Sequence, residues 1–121
     1  MSNRKKNIGP TSTVTGVTTN GTTAEFSTIQ SNDDVLYHIN VTVLTAGSVT
    51  PSLQTSPDGT TWYPVPEAIG KTDAITAVGA HTIAARAPVG QRTRLSYLVD
   101  TGPATFTVIP EASKRGHAGR N

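Results

Sequence analysis

Hydrophobic and polar residues alternate along several short stretches of the chain, which predicts β-strands rather than helices. The clearest stretch is 35–45, in which every second residue is apolar: Val35, Tyr37, Ile39, Val41 and Val43. Because successive side chains of a strand point to opposite faces, this set is predicted to face the core, and His38 is predicted to point outward. Similar alternation over 92–99 and 104–109 predicts two further strands.

Turn signals separate these stretches. An Asn-Gly pair at 20–21 predicts a tight hairpin between strands 13–19 and 22–29, because a type I′ turn needs two residues that tolerate positive φ. Further turns are expected at 46–48, 56–59, 88–90 and 100–103. With turns spaced about 8–12 residues apart, the sequence predicts about eight short strands in one antiparallel β-sandwich, jelly-roll or immunoglobulin-like. The strand signals end at Pro110.

The composition supports this all-β prediction. Of 121 residues, 21 are Thr, and Thr, Val and Ile together number 39. Such β-branched side chains suit a pleated sheet and lose rotamer freedom in a helix. Val, Ile, Leu and Phe together number only 25, which is enough for one thin core. A domain of this kind often gains part of its stability from a partner or from homo-oligomerisation.

The residue types that carry chemistry are scarce. Cysteine is absent, which excludes disulfides, thiolate metal sites and cysteine nucleophiles. His38, His81 and His117 lack metal-ligand spacing, and no nucleophile motif or phosphate-binding loop is present. No apolar run approaches the roughly 18 residues of a membrane span, and the first residues lack the apolar stretch of a signal peptide. We therefore expect a non-enzymatic protein without cofactor, metal or membrane association, synthesised in a cytoplasm.

Basic residues are concentrated at the two ends of the chain: Arg4, Lys5, Lys6, Lys114, Arg115 and Arg120. Residues 10–113 contain four basic and eight acidic residues, a net charge of −4. The predicted organisation is a basic arm over 1–10, a sandwich over 11–110 and a basic tail over 111–121. Such arms are explained equally well as solvated chain ends or as segments that contact an acidic protein surface. Without interleaved aromatic residues they give little indication of nucleic-acid binding.

Two adjacent aromatic residues are the other candidate contact site. Trp62 and Tyr63 follow the predicted turn at 56–59, and neighbours on a strand face opposite sides, so one is expected in the core and one at the surface. An exposed aromatic side chain can stack on a sugar or anchor a protein interface, and it can also close the end of a thin sandwich.

Four motifs over residues 53–108, about half of the chain, resemble those of small bacteriophage structural proteins. They are S-x-D-G-T-x-W at 56–62, I-T-A-x-G-x-x-x-I at 75–83, P-x-G-x-x-x-R-x-x-Y at 88–97 and G-x-x-T-F-x-V at 102–108. Similar hairpins also occur in carbohydrate-binding and immunoglobulin-like modules. The resemblance implies a β-sandwich without enzymatic activity, of the kind found among head-decoration and minor capsid proteins.

The leading hypothesis is a capsid decoration protein that binds the major capsid protein on the outside of a phage head and stabilises the shell. The residues expected to contact the partner are Arg4, Lys5, Lys6, Lys114, Arg115, Trp62 and Tyr63. One alternative is a carbohydrate-binding module that uses Trp62 or Tyr63. Another is a structural component of the phage tail or connector, which shares the expected fold and differs in location.

Overall fold

A computed structural model describes residues 6–27, 33–65, 68–85 and 92–114, and these form strands without any helix. The all-β prediction is confirmed. The strands are more numerous than predicted because several contain only two or three residues. In chain order they are β1 (Lys6–Ile8), β2 (Ser12–Val17), β3 (Gly21–Thr22), β4 (Phe26–Ser27), β5 (Asp33–Leu44), β6 (Gly47–Ser56), β7 (Tyr63–Pro64), β8 (Ile69–Gly70), β9 (Gly79–Ala85), β10 (Arg92–Thr101) and β11 (Ala104–Lys114).

The strands form two antiparallel sheets. Sheet A has the order β1-β11-β5-β9-β8, and β2 follows β1 end to end along the same edge of β11. Sheet B has the order β3-β10-β6-β7, and β4 lies beside β3 on the same edge of β10. The chain passes from one sheet to the other at six connections between the described strands: β2 to β3, β4 to β5, β5 to β6, β7 to β8, β9 to β10 and β10 to β11. Consecutive strands therefore tie the two sheets together.

One hydrophobic core lies between the sheets. Its buried members come from both: Phe26, Val35, Tyr37, Ile39, Val41, Val49, Leu53, Ile75, Ile83, Ala85, Leu95, Tyr97, Ala104, Phe106, Val108 and Ala112. The rings of Tyr97 in sheet B and Phe106 in sheet A meet edge to face, with centroids 5.0 Å apart. Edge-to-face contact suits the aromatic quadrupole, so this pair helps to fix the spacing of the two sheets.

The predicted inward face of β5 is confirmed over most of its length and is wrong at Val43. Val35, Tyr37, Ile39 and Val41 are buried, whereas Val43 is 47% exposed. The ladder between β5 and β11 shifts register here, pairing Val41 with Phe106 but Val43 with Thr105. An extra residue in one strand is a β-bulge, and it reverses the side to which later side chains point.

The hairpin predicted at Asn20-Gly21 is wrong. Neither residue has a positive φ, and β2 pairs with β11 in sheet A while β3 pairs with β10 in sheet B. The segment therefore crosses between the sheets. The Asn20 side chain serves a different purpose, since its Oδ1 accepts a hydrogen bond of 2.8 Å from the N–H of Val99.

The domain boundaries expected at residues 10 and 110 also need correction. Strand β1 pairs with the end of β11, from Lys6 opposite Ser113 to Ile8 opposite Glu111. Pro110 lies inside β11 and is buried. Its carbonyl accepts a hydrogen bond from the N–H of Gly9. In a strand, the backbone nitrogen and the carbonyl of one residue point to the same side. The N–H that proline lacks would therefore face the connection between β1 and β2, and the ladder of Pro110 with β5 is unaffected.

Candidate functional site

The outer face of sheet A carries a row of four apolar side chains and one carboxylate that crosses the sheet. The pairing places one residue from each of five strands side by side on this face: Ile8, Glu111, Leu36, Ala84 and Ile69. Ile8 is 63% exposed and Ile69 is 53% exposed at its two ends. Ile109, which is also exposed, lies two residues along β11 on the same face. We call the apolar residues Ile8, Ile109, Leu36, Ala84 and Ile69 the apolar row, and Glu111 interrupts it. An apolar cluster of this kind on a folded surface often marks a contact with another macromolecule.

A polar pair lies within the same face. His38 Nε2 is 3.1 Å from Glu111 Oε1, and the Glu111 side chain is only 17% exposed. The outward position predicted for His38 is confirmed. Beside it, a shallow depression of about 430 Å³ is lined in part by Asn40, Thr82 and Ile109. His81 pairs with Ile39, so its side chain is expected on the opposite face from that of His38, although both residues border this depression.

The basic residues predicted as contacts lie at one end of sheet A, as far as the structure describes them. Lys6 begins β1 and Lys114 ends β11, and Lys6 is adjacent to Ser113 in the ladder. Arg4, Lys5 and Arg115 lie outside the described residues. Because Lys5 is bonded to Lys6 and Arg115 to Lys114, both basic segments continue from neighbouring strand ends.

The outer face of sheet B carries Trp62. This residue is half-buried, and the guanidinium carbon of Arg94 lies 4.2 Å from the centroid of its ring. Arg94 also donates a hydrogen bond of 2.8 Å from Nε to Gln54 Oε1. Arg94 and Gln54 are direct partners in the ladder between β10 and β6. The expectation that one of the two adjacent aromatics enters the core is wrong, because Trp62 is only half-buried on this outer face and Tyr63 is 52% exposed at the sheet edge.

The turn before Trp62 is held by its own polar side chains. Asp58 Oδ1 accepts hydrogen bonds from the N–H groups of Thr60 and Thr61, at 2.8 and 2.9 Å. These donors hold the pKa of Asp58 below its usual value, because they stabilise the ionised carboxylate. Ser56 Oγ in turn accepts from the N–H of Gly59, at 2.8 Å. This local network holds the turn in one conformation and thereby positions Trp62 against the outer face of sheet B.

Arg94 and Gln54 were not predicted from the sequence as members of a site. Alternation over 92–99 places Arg94 on the outward face of its strand, but its contacts depend on pairing with residues 54 and 62, which are distant in sequence. No cluster of metal-ligating side chains occurs within the described ranges. Across those same ranges, no helix is long and apolar enough to cross a membrane.

Comparison with known proteins adds no identification. No protein-family model matches the chain, and no curated protein gives a significant match.

Proposed function

We propose that this protein is a structural component of a bacteriophage virion that decorates the outside of the head. In this proposal it binds the major capsid protein and stabilises the shell by adding interface area between neighbouring subunits. The observation that carries the proposal is the apolar row on the outer face of sheet A. It provides an open, sheet-wide surface for a large protein partner rather than an enclosed pocket for a small ligand.

The position of the basic residues supports the same partner. Strand ends at Lys6 and Lys114 lie together beside the apolar row, and each is covalently continuous with further basic residues. An apolar surface with cations at one end suits a capsid surface with apolar patches and acidic surroundings. The cations steer the encounter, and the buried apolar area supplies most of the affinity.

Carbohydrate binding is the second candidate, and the exposed side chain of Tyr63 is the observation that favours it. Trp62 is less suited to this function than the sequence suggested. The Arg94 guanidinium covers one face of its indole ring, at 4.2 Å, and that face is therefore closed to a sugar. A glycan array tests this candidate: specific sugar binding that is lost on Tyr63→Ala would favour it over decoration.

The main experiment uses phage heads that contain neither DNA nor this protein, and it measures how much purified protein binds to them. We expect saturation at hundreds of copies per head, whereas a handful would indicate a connector or another minor location. Affinity should fall modestly between about 0.05 and 0.5 M salt, because contacts of exposed charges are screened while apolar burial persists. Failure to bind heads, combined with binding to free DNA, would replace the proposal by a nucleic-acid function.

A matched pair of variants tests the surface itself. Ile69 and Val78 are 53% and 58% exposed, and only Ile69 belongs to the apolar row. Ile69→Asp should weaken binding to heads at least about tenfold, because an unpaired carboxylate would be buried at the interface. Val78→Asp should change it less than about twofold. Equal effects of the two substitutions would show that the apolar row is not the contact surface.

A further inference from the structure

The outer face of sheet B contains a guanidinium that is held in one orientation. Arg94 lies on β10, near the middle of the sheet, between two buried neighbours, Thr93 and Leu95. Its Nε–H is used by Gln54, and its planar head is stacked on the ring of Trp62. Two contacts thus restrict a side chain that is usually flexible.

The remaining donors of Arg94 have no acceptor among the described residues. An arginine carries five N–H donors, and the four on its two Nη atoms lie in the plane of the head. No carboxylate in the described ranges forms an ion pair with it. A planar, oriented guanidinium with open Nη donors matches the two oxygens of a carboxylate, and little entropy is lost on binding because the head is already fixed.

The nearby charges favour a protein carboxylate over the continuous phosphate or sulfate track of a nucleic acid or polysaccharide. Arg92, two residues away on the same face, has its Nη1 3.5 Å from Glu25 Oε1. That pair contributes no net charge to the face. Nucleic acids and sulfated polysaccharides need a track of cations, whereas this face offers one unpaired cation within the described residues.

We propose that Arg94, with Trp62 and Gln54, forms a docking site for an Asp or Glu side chain on an acidic segment of a protein partner. Arg and Trp are the residue types that most often dominate the energy of protein interfaces. The inference deepens the proposed function and rests on it for one point, that the partner belongs to the phage head. The site lies on the sheet opposite the apolar row, so the two surfaces together suit a protein that bridges neighbours.

The test uses Trp62, the only tryptophan in the chain, as a reporter of its own site. The full-length protein is titrated with a hexaglutamate peptide at low salt, and its tryptophan fluorescence is followed. We expect a saturable change with hexaglutamate and none with hexaglutamine. Arg94→Gln should weaken the response at least about tenfold, and Arg94→Lys should weaken it partly because a single ammonium cannot form the bidentate contact. Arg92→Gln should stay within about twofold of wild type.

Several results would overturn the inference. They are an absent response in the wild type, an equal response in Arg94→Gln that retains the wild-type unfolding transition, a full response in Arg94→Lys, or a tighter Arg94-dependent response to heparin than to hexaglutamate. Binding to phage heads is measured separately. A protein that responds to hexaglutamate through Arg94 but does not bind heads would keep the site and refute the proposed function.

Discussion

The hydroxyl groups of Tyr37 and Thr93 lie 2.9 Å apart in the core and join the two sheets. Tyr37 is on β5 of sheet A and Thr93 is on β10 of sheet B, and neither side chain is exposed. Thr93 Oγ1 also donates to the carbonyl of Phe26, at 3.4 Å. Because its hydrogen is used there, Thr93 accepts from the hydroxyl of Tyr37. This short chain of hydrogen bonds is a polar contact inside an otherwise apolar core.

This direction of donation predicts unequal effects of two isosteric substitutions. Tyr37→Phe removes one donor and leaves Thr93 bonded to Phe26, so we expect a loss of about 1 kcal/mol in the free energy of unfolding. Thr93→Val leaves the buried Tyr37 hydroxyl without its acceptor and should cost about 2–3 kcal/mol. Urea unfolding of both single variants and the double variant measures the coupling. A larger loss for Tyr37→Phe would contradict the assigned direction.

Burial of Tyr37 also predicts a loss of stability at alkaline pH. Removal from water raises the pKa of Tyr37 well above the usual value near 10, since the ionised phenolate is poorly solvated in the core. The unfolded state therefore releases the tyrosine proton before the folded state does. The stabilisation is complete below about pH 10 and is lost progressively as the pH rises above it. The melting temperature should fall above about pH 10 more steeply in the wild type than in Tyr37→Phe, and parallel curves would refute this.

Two glycines with positive φ form a matched pair for a test of packing. Gly47 (φ 79°) and Gly16 (φ 61°) both have a backbone conformation that disfavours other residues. A Cβ at Gly47 would overlap the carbonyl oxygen of Asp100, whereas one at Gly16 would have open space. Gly16→Ala should cost about 1–2 kcal/mol from backbone strain alone. Gly47→Ala should cost at least twice as much, because the junction of β6 and β10 must also move. Equal losses in chemical unfolding would count against this account.

Two truncations at the N-terminus distinguish the contribution of the first five residues to stability from that of β1. Removal of residues 1–5 leaves β1 intact and should hardly change the unfolding midpoint. Removal of residues 1–9 also deletes the ladder to β11 and the Gly9 donor to Pro110, and it uncovers the ring of Phe26, against which Gly9 packs. We expect a loss of about 1–3 kcal/mol from the lost hydrogen bonds and apolar burial. If both truncated proteins unfold alike, β1 contributes nothing to stability.

The fold was predictable from sequence where side-chain alternation continues without interruption. The periodicity of β5 correctly assigns Tyr37 and Ile39 to the core, because period-two burial is written directly into the residue order. It fails at Val43, where the bulge depends on the registers of β11 with its two neighbours. It fails again at Asn20, because the local preference for a turn does not reveal that the next strand belongs to the other sheet.

The candidate sites were predictable only in part. Trp62 stands out in the sequence because aromatic residues are few, but its contact with Arg94 depends on the pairing of β6 with β10. The apolar row was not predicted, since each of its five strands contributes one residue and no segment looks unusual by itself. Surfaces of this kind come from long-range strand order, which short sequence patterns do not contain.

The pairing of Lys6 with Ser113 has a mechanical consequence. Because β1 begins and β11 ends on the same side of sheet A, tension applied through the two ends of the chain pulls these strands apart from one end. The hydrogen bonds of their ladder would then carry the load one after another, as in unzipping, and would not resist together, as in shear. Force that reaches the protein through its termini should peel away β1 at low load, while the long ladders of β5 with β11 and of β6 with β10 stay closed.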